Sequence, residues 1–236
     1  DPHNVLTARL SLPIDKYPKD PQQAAFSEQL LNRISVLPGV SAASLSTSLP
    51  NRLTMKMRLG IEGRPAPAPN DPTASVPFDA VSDDYFHTLG IPVISGRGFD
   101  NRDAPNTPIA AIVNREFVHS FFPDSEDPLG KRILLAVGTA HQTPVSIVGV
   151  AAALRRAGRV EKPLPQVFLR FAQSPSTDIV ILVRTAYDPA TFVSALRTQV
   201  LAIDKELPLF DVATLENLLA GETADQRFEA TAVGLF

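Results

Sequence analysis

Apolar and polar side chains alternate, imperfectly, along Val5-Leu-Thr-Ala-Arg-Leu-Ser-Leu12, and that two-residue period predicts a strand. Asp20-Pro21 follows, a pair suited to open a helix, with the aspartate as N-cap and the proline at the first helical position. Phe26, Leu30, Ile34 and Leu37 then recur at spacings of four, four and three, the stripe of a helix with one buried face. Pro38-Gly39 stops that helix, and Val40–Ser46 predicts a second strand. The same signals return late in the chain. Asp178-Ile-Val-Ile-Leu-Val-Arg-Thr185 is a nearly continuous apolar run, as expected of a buried strand. Asp188-Pro189 repeats the cap, Phe192, Leu196, Val200 and Ile203 repeat the stripe, and Leu207-Pro208 repeats the exit. Leu209–Val212 resumes as a strand, and Leu215–Leu219, behind Thr214 as N-cap, predicts a short closing helix.

Two strand–helix–strand units with matching caps and exits predict a duplicated βαβ layout on one shared sheet, its helices on one face and its crossovers right-handed. The copies are far apart, so the residues between them read as an insertion. The expected fold class is α+β: a discontinuous lobe of two βαβ units at 1–61 and 173–222, a connector at 62–75, and an inserted mixed α+β lobe at 76–172. The connector rests on Pro65, Pro67, Pro69, Pro72 and Pro77, which remove amide donors and fix φ, and so exclude a helix or a central strand over Glu62–Pro77. Inside the insertion, Asp83–Leu89 predicts a short helix ended by Gly90, and Arg115–Phe122 a second one closed by Pro123. Ile91–Ile94, Ile109–Val113, Lys131–Val137, Val145–Val150 and Gln166–Phe171 predict strands.

At 236 residues and 44% hydrophobic, the chain can bury a sizeable core. A net charge of −3 excludes the basic surface that nucleic-acid binding requires. Its longest basic cluster, Arg155, Arg156 and Arg159, reads as a solvated loop. With no cysteine, there is no disulfide, thiolate metal site or thiol nucleophile. The chain begins at Asp1-Pro2, and its end, Phe228-Glu-Ala-Thr-Ala-Val-Gly-Leu-Phe236, grows steadily more apolar. We read 223–236 as the start of a return to a membrane.

Candidate chemistry is sparse. His3, His87, His119 and His141 lie too far apart in sequence for two to share a helical face as metal ligands. Neither Gly-x-Ser-x-Gly nor Ser-x-x-Lys occurs, nor does a Gly-Lys-Ser/Thr phosphate loop. Gly96-Arg97-Gly98 has only the first half of a dinucleotide fingerprint and reads as a turn. Asp83-Asp84 and the cluster Asp124, Glu126, Asp127 read as solvated charge. No catalytic, cofactor-binding or metal-binding residue is assigned, no cofactor is expected, and the chain reads as a non-enzyme.

One ordered series of motifs carries a family resemblance. Val81-Ser-Asp-Asp-Tyr-Phe-His-Thr-Leu-Gly-Ile-Pro-Val-Ile-Ser-Gly-Arg-Gly-Phe99 is followed by Ile112-Val-Asn114, Phe121-Phe-Pro123, Asp127-Pro-Leu-Gly-Lys-Arg-Ile133, Ile147-Val-Gly-Val150, Pro163-Leu-Pro-Gln-Val-Phe168 and Val183-Arg-Thr185. In order and spacing this resembles the MacB-like periplasmic core domains of ABC-transporter permeases (the MacB/FtsX/LolC–LolE type), and it is most similar to the acidobacterial-type permeases. The resemblance runs over essentially the whole chain. Two departures stand out: Ala151-Ala-Ala-Leu-Arg-Arg156 replaces a Gly-Asp and histidine common in relatives, and Phe168 and Phe171 lie where tyrosines are common nearby. Tyr85 and Phe86 read as anchors of a short helix in the inserted lobe's core, Gly90 and Gly130 as turn formers, and Lys131 and Arg132 as solvated.

What the resemblance implies is a porter-like lobe carrying an inserted Sabre-like lobe, on the periplasmic face of the inner membrane, tethered to the bilayer at both ends. The implied function is to couple ATP hydrolysis by a cytoplasmic ABC ATPase subunit to periplasmic conformational change, for export or mechanotransmission. Implied partners are that ATPase, reached through the membrane part, a second permease copy or paralogous domain, and a periplasmic adaptor or substrate. The alternative is a periplasmic ligand-binding or sensor domain of a membrane receptor.

Overall fold

The computed structural model describes residues 1–50, 55–122, 126–153 and 163–220. In chain order they form β1 (Val5–Ser11), α1 (Asp20–Ser35), β2 (Val40–Ser46), β3 (Lys56–Ile61), β4 (Ser75–Val81), α2 (Tyr85–Leu89), β5 (Val93–Gly96), β6 (Ala110–Asn114), α3 (Arg115–Phe121), β7 (Arg132–Leu135), β8 (Thr143–Ala151), β9 (Val167–Arg170), β10 (Asp178–Thr185), α4 (Val193–Ile203) and β11 (Phe210–Thr214). Residues 215–220 are helical.

The two sequence repeats interlock. Their strands run in the order β11-β1-β10-β2, each antiparallel to its neighbours. β1 and β2 therefore flank β10 while β10 and β11 flank β1, the split βαβ arrangement. Both helices cover one face. Phe26, Leu30 and Ile34 of α1 and Leu196 and Val200 of α4 pack over Leu6, Leu10, Ile179 and Ile181. Each such side chain contributes about 1.5–3 kcal/mol on burial. The opposite face of β10 places Val180 and Leu182 in a second apolar cluster, which explains why that strand has no polar alternation.

Local caps depart from expectation at α1. Its N-cap is Lys19, in extended backbone, and Asp20 is already helical. The Gln22 side chain accepts from the Lys19 amide at 3.2 Å, so Asp20 acts on the helix dipole and does not cap. Asp188 does cap: it accepts from the Ala190 amide at 3.0 Å and opens a 3-10 turn, Pro189–Phe192, which runs into α4. Thr214 caps the closing helix by accepting from the Asn217 amide at 3.2 Å.

The remaining strands close on themselves. β4 pairs β3, β3 pairs β7, β7 pairs β8, β8 pairs β6, β6 pairs β9, and β9 returns to β4, a ring of six staves with β5 added outside on β8. Closure gives each of these staves a partner on both sides over at least part of its length. Alternate residues point inward: Leu59, Val113, Ile133, Ile147 and Leu169 fill the interior together with Phe117 of α3. A barrel thus stands where the sequence suggested only a mixed α+β arrangement.

The proline-rich stretch is not a passage between two units. It leaves the barrel after β3 and re-enters it at β4, whose Ser75–Pro77 pair only with Arg58–Lys56. Pro77 therefore sits inside a strand at a point where one side is free of a partner, the place a sheet tolerates proline. The Arg58 guanidinium holds the excursion by donating to the carbonyls of Pro67, Ala68 and Pro69. β3, expected with the first sheet, is a stave of the barrel.

Sheet and barrel meet through one strand pair, Ser46 opposite Val81, and through α2. Tyr85, Phe86 and Leu89 wedge between Val5, Val180 and Leu182 of the sheet and Ile112, Ala151 and Phe168 of the barrel. These aromatics anchor the junction, where sequence reasoning placed them in the core of the insertion alone.

Candidate functional site

Beside the junction, on the helix-covered side of the sheet, a cleft of about 940 Å³ opens. Helix α1 lines one wall, Ala43 and Leu45 of β2 lie at its base, and the opposite wall comes from the segments around Asp83, Ala104 and Gln173. Small side chains (Ala24, Ala25, Ala43, Ala104) leave the space between these elements unfilled.

A chain of ion pairs stiffens the barrel side. Arg170, the last residue of β9 and only 9% exposed, donates from Nε and Nη2 to the two oxygens of Asp83, both at 2.7 Å. Its Nη1 donates to the Asp103 carbonyl at 2.7 Å. The Asp103 carboxylate in turn takes both Nη atoms of Arg97 at 2.7 Å. Burial pushes the Asp103 carboxyl up, but the hydrogen bonds from Arg97 and from the Asp100 amide outweigh it and hold it below the ordinary value. Arg97 is raised, chiefly by the same hydrogen bonds. Gln173 completes the frame, donating to the Ala104 carbonyl at 2.9 Å and accepting from the Ala110 amide at 3.0 Å. Fork-to-fork arginine pairs of this kind fix geometry and neutralise one another. They position loops.

Several residues singled out in the sequence gain definite roles. Asp83 is tied to Arg170 and is not merely solvated. Gly96 (φ +71°) ends β5 where it pairs with Gly149, and a side chain at either would strike backbone: the Val148 carbonyl in one case, the Arg97 carbonyl in the other. The Gly-Arg-Gly element is therefore a close strand contact. Gly90 (φ +64°) is the left-handed cap of α2. Lys131 and Arg132, half exposed, pair with Glu126 and Glu62. His3 pairs with Glu216 at 2.5 Å and His119 lies 3.8 Å from Glu116, while His87 on α2 and His141 in the turn between β7 and β8 are exposed. Among the described residues no group of three or more His, Cys, Asp or Glu is placed to hold a metal. Asp124, the arginines at 155, 156 and 159 and the segment 223–236 lie outside the described residues.

Sequence reasoning passed over a second polar cluster. Asp79 on β4 is 2% exposed and accepts from Ser48, from Thr47 at 3.4 Å and from Gln166 at 2.7 Å. Burial pushes its carboxyl up to about 6, against the lowering effect of those donors. A lone aspartate in an apolar strand was its only sequence signal. No helix among the described residues is long and apolar enough to cross a membrane.

Comparison with known proteins places this architecture. Residues 7–199 match the family model of the MacB-like periplasmic core domain. The chain is 30% identical over 125 residues to the macrolide export ATP-binding/permease protein MacB 2 of Aeromonas hydrophila, covering 50% of this chain and 18% of that protein. It is 37% identical over 78 residues to the corresponding MacB of Bartonella henselae, covering 33% of this chain and 11% of that protein. It therefore spans less than a fifth of the length of these relatives. In fold it is similar to the periplasmic region of MacB from Actinobacillus actinomycetemcomitans, with a TM-score of 0.59 at 13% identity over 96% of this chain and 93% of that one. It is also similar to the extracellular domain of the noncanonic ABC-type transporter YknZ from Gram-positive bacteria, with a TM-score of 0.53 at 14% identity over 87% and 100%. The family match covers most of the chain and the fold likeness nearly all of it, and this chain belongs to the family of MacB-like periplasmic core domains.

Proposed function

We propose that the chain is the extracytoplasmic domain of an ABC-type permease on the periplasmic face of the inner membrane, and that it passes motion generated by a cytoplasmic ATPase to the periplasmic side. The observation that carries this reading is the MacB-like core-domain match over residues 7–199. The geometry supports it. Thr214, which opens the closing helix, pairs with Leu6 beside the start of β1, and His3 and Glu216 are joined, so the first and last described elements meet at one end of the sheet's strands. First and last described elements that meet at one end of the strands suit insertion of such a domain between two neighbouring membrane segments. The interlocked sheet serves as the porter-like lobe, and the barrel as the inserted Sabre-like lobe. ATP hydrolysis belongs to the separate subunit, and this domain performs no catalysis of its own. Its working partner is a second permease copy or a paralogous domain, with a periplasmic adaptor or an exported substrate engaged from outside. The names of the relatives make an exported small molecule one cargo class to examine.

The test is a distance measurement in the full-length gene product reconstituted with its ATPase. These 236 residues have no cysteine, so once any cysteine elsewhere in the gene product is replaced, Thr198→Cys on the exposed face of α4 accepts a single spin label per copy. The copy-to-copy distance is expected to differ between ATP-bound and vanadate-trapped states. One unchanged distance distribution in every nucleotide state would sink the mechanical reading. A gene that continues into a kinase or cyclase segment would favour the sensor reading instead.

A further inference from the structure

We propose that the cleft beside α1 is a docking groove for an extended, basic polypeptide segment of a partner protein, which adds to the open edge of β2 as a further strand. The edge is defined by hydrogen-bond alternation. Leu45 donates its amide to the Ser82 hydroxyl at 2.9 Å and accepts from the Ser82 amide at 3.0 Å, so its backbone groups face away from β10. In an antiparallel ladder these directions alternate residue by residue. Ala43, opposite Val183 and two residues before Leu45, therefore also turns its amide and carbonyl away from β10. Pairing on that side stops at Ser46 opposite Val81, and the cleft opens beside Ala43 and Leu45.

Unpaired strand edges are normally covered or blocked, because another chain can pair with them. Here the side of β2 remote from β10 borders a cleft of about 940 Å³, near the top of the roughly 300–1,000 Å³ usual for binding pockets. A groove between a strand edge and a helix is a recurrent geometry for strand addition, in which backbone bonds supply affinity and alternate side chains supply selectivity. The lining states the charge of the occupant. Asp20, Glu28 and Asp84 border the cleft as acids without a cationic lining partner, while Asp83 and Arg170, the one cation among the described lining residues, neutralise each other. Among the apolar lining groups are Leu31, Ala43 and Phe171. An alternating basic and apolar strand matches both features. This inference does not rest on the permease reading, and its test addresses the cleft alone.

The 236-residue chain is titrated with fluorescein-labelled Val-Lys-Val-Lys-Val-Lys-Val, with the glutamate analogue of that peptide, and with a version N-methylated at alternate residues. The lysine peptide is expected to bind about tenfold or more tightly than either analogue, and to slow amide hydrogen exchange at Ala43. Glu28→Lys with Asp84→Lys, both exposed positions whose change leaves the core intact, is expected to weaken it by about tenfold. Absence of saturable binding, equal binding of the N-methylated peptide, or a footprint away from β2 overturns the proposal. So does slowed exchange at Ala43 without peptide that rises with protein concentration alongside a dimer in sedimentation, which would assign the groove to a second copy.

Discussion

Arg170 grips Asp83 at two points, Nε to one carboxylate oxygen and Nη2 to the other, each 2.7 Å long. The pair ties the end of β9 to the turn that leads from β4 into α2. Asp83→Ala removes both contacts and leaves a largely buried guanidinium without its counter-charge. Breaking fully buried pairs costs about 3–5 kcal/mol. Asp83 is 40% exposed, so we expect a smaller loss, about 2 kcal/mol in urea unfolding. Asp83→Asn, which keeps one acceptor for Arg170, should recover part of it.

Asp79 gives a pH dependence of definite sign. Its folded value, about 6, lies above its unfolded value of 3.8. The folded state therefore binds the proton more tightly, and the stability this contributes is full below 3.8 and lost as pH rises through about 6. The span corresponds to about 3 kcal/mol. Carboxyls held low by partners, such as Asp204 by Lys16, contribute in the opposite direction, so the difference between variants is the quantity to measure. Asp79→Asn should be about 1–3 kcal/mol more stable than the parent at pH 8 and equal to it near pH 4. Urea titrations at the two pH values check this, and an unchanged difference would show that folding does not raise the Asp79 carboxyl above its unfolded value.

The repeats made the interlocked sheet legible because each buried stripe, Phe26-Leu30-Ile34 and Leu196-Val200, uses a period no strand would share. β10 was legible for the opposite reason, since burial on both faces leaves no polar residue between Ile179 and Val183. The barrel was not. Its staves are short, four residues in β7 and β9, and closure depends on which staves pair, a property no local pattern carries. β4 hid behind Pro77, tolerated because its partner there lies on one side only. The cleft and its ion pairs were illegible for a related reason: Arg97, Asp103, Arg170 and Asp83 meet only after β9 has paired with β4. The family motifs located the glycines and aromatics at this junction, and their contacts explain why those residue types stand there.

Gly96 and Gly149 test the close strand contact. An alanine at Gly96 adds strain from φ +71° to a clash with the Val148 carbonyl, and an alanine at Gly149 clashes with the Arg97 carbonyl. Each should destabilise by about 3 kcal/mol. Gly98, where an added Cβ meets nothing within 4 Å and φ is ordinary, should accept alanine within about 0.5 kcal/mol. Thermal melts of the three variants separate the contact from a general intolerance of the loop.

Phe86 decides whether sheet and barrel unfold as one unit. Its ring lies 5.1 Å from that of Phe168 on the barrel and 5.5 Å from that of Tyr85, while the cluster it belongs to also holds Val180 and Leu182 of the sheet. Beyond this wedge, direct strand pairing between sheet and barrel is confined to Ser46 and Val81. Phe86→Ala should therefore cost about 3–5 kcal/mol and, more tellingly, remove much of what couples the two parts. In the parent, amide exchange of β10 and of β8 should report one common opening free energy; in the variant, two. Ile34→Ala, on the far face of the sheet, supplies the contrast: it lowers stability by a comparable amount without touching the wedge. A variant at Phe86 that still opened β10 and β8 together would show that the coupling runs through β4 and the strand pair alone.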